Sequence, residues 1–203
     1  MPFTPIHMGP GILIKGLLQG SFSLMVFGWT QIIMDLQPLM VMISGEGHLH
    51  GFSHTYVGAI LLAILSALTG KYLSQLGLKI LGMAKSQHMN IKWWVCLLSA
   101  FLGSFSHVLL DSIMHSDVEP FFPITLSNPF QGVISVGFLH KICLYSGLLG
   151  ASIYYLVSFH QSRLRSWINK KSPSAKHYFS SALYPSLEKS NTKIVTQIAS
   201  LDY

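Results

Sequence analysis

The sequence predicts an all-α integral membrane bundle, with about four transmembrane helices and a short N-terminal helix, on three observations. Half of the 203 residues are hydrophobic and only 10% are Asp, Glu, Lys or Arg, against roughly 25% in ordinary soluble domains. Four segments approach the ~20 apolar residues that a helix needs to cross the hydrocarbon core. The 13 Lys and Arg sit mostly between and after those segments, with no basic face carrying interleaved stacking aromatics. The net charge of +6 therefore reads as basic loops beside a membrane, and no nucleic-acid partner is expected.

The first span covers about residues 22–43, with Asp35 inside it and Pro38 expected to kink or end the helix. The second begins near residue 52 and continues through GAILLAILSALTG to about residue 73. The third is WWVCLLSAFLGSFSHVLLDSIM, residues 93–114, and the fourth covers about residues 134–159. Ahead of them, residues 9–18 are apolar but too short to cross alone. The Gly20, Ser21, Ser23 cluster is expected to end them as a re-entrant or interfacial helix. The N-terminus, MPFTPIHMGPGILIKG, has no basic leader or AxA-type site and does not read as a removed signal peptide. Cys96 and Cys143 lie singly in apolar runs without CxxC spacing and are expected to be buried, unreactive thiols.

Linker charge sets orientation. Residues 71–92 carry Lys71, Lys79, Lys85 and Lys92, and the stretch after Phe159 opens with Arg163, Arg165, Lys170 and Lys171, so both belong on the cytoplasmic side. Trp93, Trp94, Tyr154 and Tyr155 fit an aromatic belt on that side. Residues 44–52 and 115–133 contain Glu46, Asp117 and Glu119 but no Lys or Arg, and should face outward. Residues 1–160 then form the membrane-embedded domain. Residues 161–203 are polar, without sustained hydrophobic periodicity, and are expected to be a flexible basic cytoplasmic tail.

Ten histidines stand beside only seven acids, and their placement carries the chemistry. An Asp or Lys at the centre of a membrane helix costs roughly 2.5–3.5 kcal/mol on translocon scales, so such residues usually serve a function. Asp35 near the outer end of the first span, His50 and His54 at the entry of the second, and His107, Asp111 and His115 at the end of the third all fall at one membrane level. His107, Asp111 and His115 recur every four residues, so each is rotated by about 40° from the last and they share one helix face. His107 and His115 would be about 12 Å apart along the axis, too far to share an ion. If all three are ligands, two ions are expected, with Asp111 as a bridge. His50 and His54 make a second i,i+4 pair, interrupted by Gly51.

A single such histidine reads best as a residue hydrogen-bonded across helices; the set reads as a metal site. Nitrogen and carboxylate ligands without thiolates suit Zn foremost, with Mn or Fe as alternatives, and an open coordination position would activate water. Glu119 and Asp117 are the candidates for proton transfer, and Glu46 is a weaker one. His48, two residues from His50, reads equally well as a loop residue and as a further ligand. His140 and Lys141 either face the site or, for Lys141, snorkel. His88, His160 and His177 lie in basic stretches and need no special role.

The segments PFTPIHMGPG, MDLQP, HGFSHTYVGA and GSFSHVLLDSIMHSD followed by PFFP resemble a bacterial family over about residues 2–151. These are the inner-membrane, predicted metal-dependent hydrolases related to the LexA-binding, DNA-damage-associated YdjM proteins. The resemblance implies metal-ligand roles for His7, Asp35, His50, His54, His107, Asp111 and His115, and a multi-pass location in the bacterial inner membrane. The pattern departs after Asp35, where Leu36 and Gln37 stand in place of a second acid. No ligand role remains there, which weakens the case for a second ion. His7 would lie across the membrane from the other ligands if residues 9–34 formed one helix of about 39 Å. As a ligand it requires the N-terminal segment to fold back or to start outside.

The expected function is hydrolysis of an ester or phosphoester by metal-activated water. The position at the lipid boundary points to membrane lipid, or a lipid-linked substrate, as the molecular partner. The alternative is a metal-ion transporter or metal-responsive membrane sensor, since intramembrane His and Asp also line ion pathways. A structural role in the DNA-damage response follows from the resemblance alone.

Overall fold

A computed structural model describes residues 5–80 and 91–171. Its elements are α1 (Met8–Leu18), α2 (Leu24–Met34), α3 (Leu36–Ser44), α4 (Tyr56–Ile80), α5 (Trp93–Met114) and α6 (Val136–Lys171), with no strand among the described residues. Four stretches are long and apolar enough to cross a membrane: Leu24–Ser44, Tyr56–Ile80, Trp93–Met114 and Val136–Leu164. The chain divides into two units, residues 1–155 and 156–203. The first holds the helical core. In the second, the described part is the helical stretch that ends at Lys171.

The first span is broken where the sequence places its proline. Pro38 has no N–H to offer the Met34 carbonyl four residues back, and its ring crowds that carbonyl, so α2 stops at Met34 and α3 restarts at Leu36. Asp35 is the single residue between them. α1 then resolves the position of His7. It ends at Leu18, a 3-10 turn follows over Gln19–Ser21, and Phe22 is extended. Lys15 Nζ donates to the carbonyls of Gln19 at 2.7 Å and Phe22 at 2.8 Å, satisfying the turn from inside. Ser23 caps α2 by accepting from the Val26 N–H, and its own N–H donates to Ser99 Oγ on α5 at 2.8 Å. α1 and α2 each have 11 residues, about 16 Å of rise. Folding one back on the other returns His7 to the level of Asp35.

The core is made by α2, α4 and α5, packed through small residues. Val26, Ala63, Ala67, Cys96 and Ala100 form one buried cluster, and Met34, Ala59 and Val108 another nearer the C-terminal end of α2. Helices in lipid associate by close backbone approach more than by apolar burial, and a Cβ on Gly103 would come within 3.1 Å of Thr30 Cβ. α6 joins through α1. A Cβ on Gly9 would fall on the Cys143 carbonyl, one on Gly16 on the Gly150 carbonyl, and one on Gly150 on the Leu13 backbone. Cys96 and Cys143 are buried and free, as expected.

Two boundaries differ from the sequence reading. α4 continues to Ile80, so Lys71 and Lys79 belong to the helix rather than to a linker. Lys71 is buried with its ammonium 4.0 Å from the Trp93 ring centroid, a cation-π contact that makes the position tolerable. α6 continues past residue 161 to Lys171 because no Gly or Pro interrupts the chain between Gly150 and Pro173. Lys85, His88, His177 and residues 172–203 of the expected tail lie outside the described residues.

Candidate metal centre

The C-terminal ends of α2 and α5, the segment before α4 and the loop after α5 deliver two groups of side chains able to hold a metal ion, and among the described residues these are Asp35, His54, His107, Asp111 and His50, His115, Asp117. The inner group is buried. His54 Nε2 lies 3.1 Å and His107 Nε2 3.2 Å from the same oxygen, Asp111 Oδ2. The two imidazole nitrogens are 3.3 Å apart, and Asp35 Oδ1 is 3.4 Å from His107 Nε2. Ligands at about 2.0–2.1 Å from a tetrahedral ion stand about 3.3 Å from one another. The four separations above lie near that edge and all four donor atoms lie within 4.8 Å of one another, so this donor set could hold a metal ion.

The outer arms of these histidines are held by neighbours, which fixes what their inner nitrogens can do. His107 Nδ1–H donates to Gln31 Oε1 at 2.7 Å, and Gln31 Nε2 in turn donates to the Gly103 carbonyl at 2.9 Å. That tautomer leaves the His107 Nε2 lone pair facing the cluster. Ser53 Oγ is 2.8 Å from His54 Nδ1, and Gln37 Oε1 accepts the Ser53 N–H at 2.8 Å. Gln31 and Ser53 have no role in the sequence reading, and Gln37 enters it only as a residue that stands in place of a second acid. A glutamine four residues before Asp35, inside an apolar helix, is the signal that was available. Replacing Gln31 with Met is expected to lower metal affinity roughly 10–100-fold, as for other partners that orient a ligating histidine, with helix content unchanged by circular dichroism.

His7 closes the inner group from the α1 side. Its Nε2 is 3.6 Å from Asp111 Oδ1, its ring stands edge-on to His107 with centroids 5.0 Å apart, and neither ring nitrogen has a hydrogen-bond partner. The side chain is 4% exposed. A buried imidazole with both nitrogens unsatisfied needs an explanation, and an ion beside Asp111 provides one.

The two expected i,i+4 pairs behave differently. His107 and Asp111 are a helical pair on α5, one turn apart on one face. His50 and His54 are not, because Gly51 has a backbone outside the helical region and α4 begins only at Tyr56. Their rings meet edge-on at 4.9 Å, with His54 in the inner group and His50 in the outer. His115 leaves α5 with an extended backbone and stacks on His50 at 4.4 Å. His107 and His115 thus fall in different groups.

The outer group is half open. His50 Nδ1–H donates to Asp117 Oδ2 at 2.8 Å. Burial pushes the Asp117 carboxyl up, but the hydrogen bond and charge of His50 outweigh it and hold it below the usual carboxylate range. Burial pushes His115 down. The loop carrying Asp117 and Glu119 is pinned by Tyr56 N–H to the Pro120 carbonyl at 2.8 Å and by Asn128 Nδ2 to the Ser112 carbonyl at 2.8 Å. Above the group is a cavity of about 280 Å³ lined by His48, His50, Thr55, Asp117 and Glu119. His140 and Lys141 join neither group.

The model of the YdjM inner membrane protein family matches residues 16–185. His7 lies ahead of that match; the other residues of both groups lie within it. No curated protein and no solved structure matches the chain. With four membrane-length helices and a family match over most of its length, the chain belongs to the YdjM family of inner membrane proteins.

Proposed function

We propose that this protein is a membrane-bound metal-dependent hydrolase of an ester or phosphoester, with zinc as the first candidate ion. The observation that carries the reading is the adjacency of two unlike donor groups. The inner one offers four ligands and is buried; the outer one offers three, two of which, His50 and Asp117, line a cavity shared with His48 and Glu119. Structural zinc sites have four protein ligands, whereas catalytic ones have three and an open position, so the chemistry is assigned to the outer group. An ion bound there would acidify water and polarise the bond under attack.

The chain's own residues supply the rest. Asp117 orients His50 through Nδ1. Glu119, partly buried and on the cavity wall, takes a proton from the attacking water and returns it to the leaving oxygen. The inner group, with His7, holds the ends of α2 and α5 and the start of the α4 segment in register.

A metal-ion transporter or metal sensor remains the alternative from another class. The apolar packing of Met34, Ala59 and Val108 near the inner group argues for a dead-end site over an ion path. Replacing Glu119 with Gln is expected to lower turnover about 10²–10⁴-fold, the usual contribution of a general acid–base, while metal content is unchanged. Hydrolysis assays on detergent-solubilised, zinc-loaded protein check this. Zinc uptake into sealed proteoliposomes without hydrolysis would replace the enzyme reading with the transporter one.

A further inference from the structure

Beside the candidate metal centre, α2, α3 and α4 enclose a lateral groove of about 930 Å³. Its walls are apolar and within the spans: Ile33 and Met40 on one side, Leu61 and Leu65 on the other. Its far end carries Trp29 and Thr69, joined by a 2.8 Å hydrogen bond from the indole N–H to Thr69 Oγ1. From Leu61 to Thr69 the groove follows α4 for about 12 Å.

The other end reaches the candidate metal centre. Gln37 and Ser53 line the groove, and Ser53 is the residue bonded to the outer arm of His54. Phe52 lines both the groove and the 280 Å³ cavity, so one side chain forms the border between an apolar slot and a pocket that carries the ionisable side chains of His48, His50, Asp117 and Glu119. A molecule that fills both must have a long apolar part and a small polar head. A pocket beside His50, His115 and Asp117, whose donor set suits a divalent cation, favours a head with anionic oxygens.

We infer that the substrate is a lipid phosphate monoester, its chain in the α2–α3–α4 groove and its phosphate in the pocket lined by His48, His50 and Glu119. This rests on the hydrolase reading and narrows it. In the reaction, a water oxygen bonds to phosphorus as the bond from phosphorus to the lipid oxygen breaks. The proton removed from water goes to that oxygen, so the products are the lipid alcohol and inorganic phosphate, with no change of oxidation state.

The test is native mass spectrometry of zinc-loaded full-length protein released from detergent micelles, with dioleoyl phosphatidate, dioleoyl phosphatidylcholine and inorganic phosphate as separate probes. The expected result is retention of phosphatidate at least about tenfold better than phosphatidylcholine. Leu65→Trp, which fills the groove, should reduce that retention about tenfold at unchanged zinc content. Leu148→Trp, on the exposed face of α6, should leave it as in the wild type. Equal retention of the two lipids, unchanged retention in Leu65→Trp, or binding of inorganic phosphate without phosphatidate would overturn the lipid assignment. Selective retention without release of phosphate would leave the lipid site standing and refute the hydrolase reading, so the two failures are distinct.

Discussion

Replacing Asp111 with alanine is expected to release the ion from the inner group and to loosen the end of the bundle where α2 and α5 terminate. The expectation follows from how many partners share this one carboxylate. Oδ2 lies 3.1 Å from His54 and 3.2 Å from His107 and Oδ1 3.6 Å from His7, so three buried imidazoles lose the one carboxylate that they share. Leaving a buried polar group unsatisfied costs about 1–3 kcal/mol, and loss of a direct ligand should exceed the roughly 10–100-fold affinity cost of losing an orienting partner. Asp111→Asn keeps the shape and one acceptor oxygen, so it should lose the metal with a smaller fall in stability. Elemental analysis of purified variants and thermal unfolding in detergent measure the two effects separately. Retention of wild-type zinc by Asp111→Ala would show that the inner group does not hold the ion.

The second large effect is expected far from any ligand, at the glycine seam between α1 and α6. A side chain on Gly150 would meet the Leu13 backbone, and one on Gly9 the Cys143 carbonyl. Backbone cannot rotate away as a side chain can, so Gly150→Leu must push the helices apart. Overpacking costs typically about 1–3 kcal/mol even where side chains can adjust, and here the displaced element is the one that carries His7. The variant should therefore unfold at lower temperature and bind zinc more weakly. Gly137→Leu is the control on the same helix, since a Cβ there meets nothing within 4 Å; it should do neither. Equal stability of the two variants would mean that α1 is not held by this seam.

These expectations separate what the sequence could disclose from what only packing decides. The third span was legible to the residue, Trp93–Met114, because an uninterrupted apolar run has one membrane-length solution. The break at Asp35 was legible because proline chemistry is local. The return of α1 was not, since it depends on glycines at 9, 16, 147 and 150 meeting across two segments far apart in sequence. In the site, His107 and Asp111 could be paired from their spacing on a helix. His50 and His54 have the same spacing but no helix beneath them, and Gly51 sends them to different groups. Gln31 was invisible as a partner of His107 because an amide's partner is set by the fold.

The central claim is that the buried His/Asp group is a metal site, and anomalous diffraction at the zinc edge from crystals of zinc-loaded protein tests it most directly. The account predicts a peak enclosed by Asp35, His54, His107 and Asp111, at ligand distances of about 2.0–2.2 Å. A fully loaded crystal with no peak among those four side chains would contradict it.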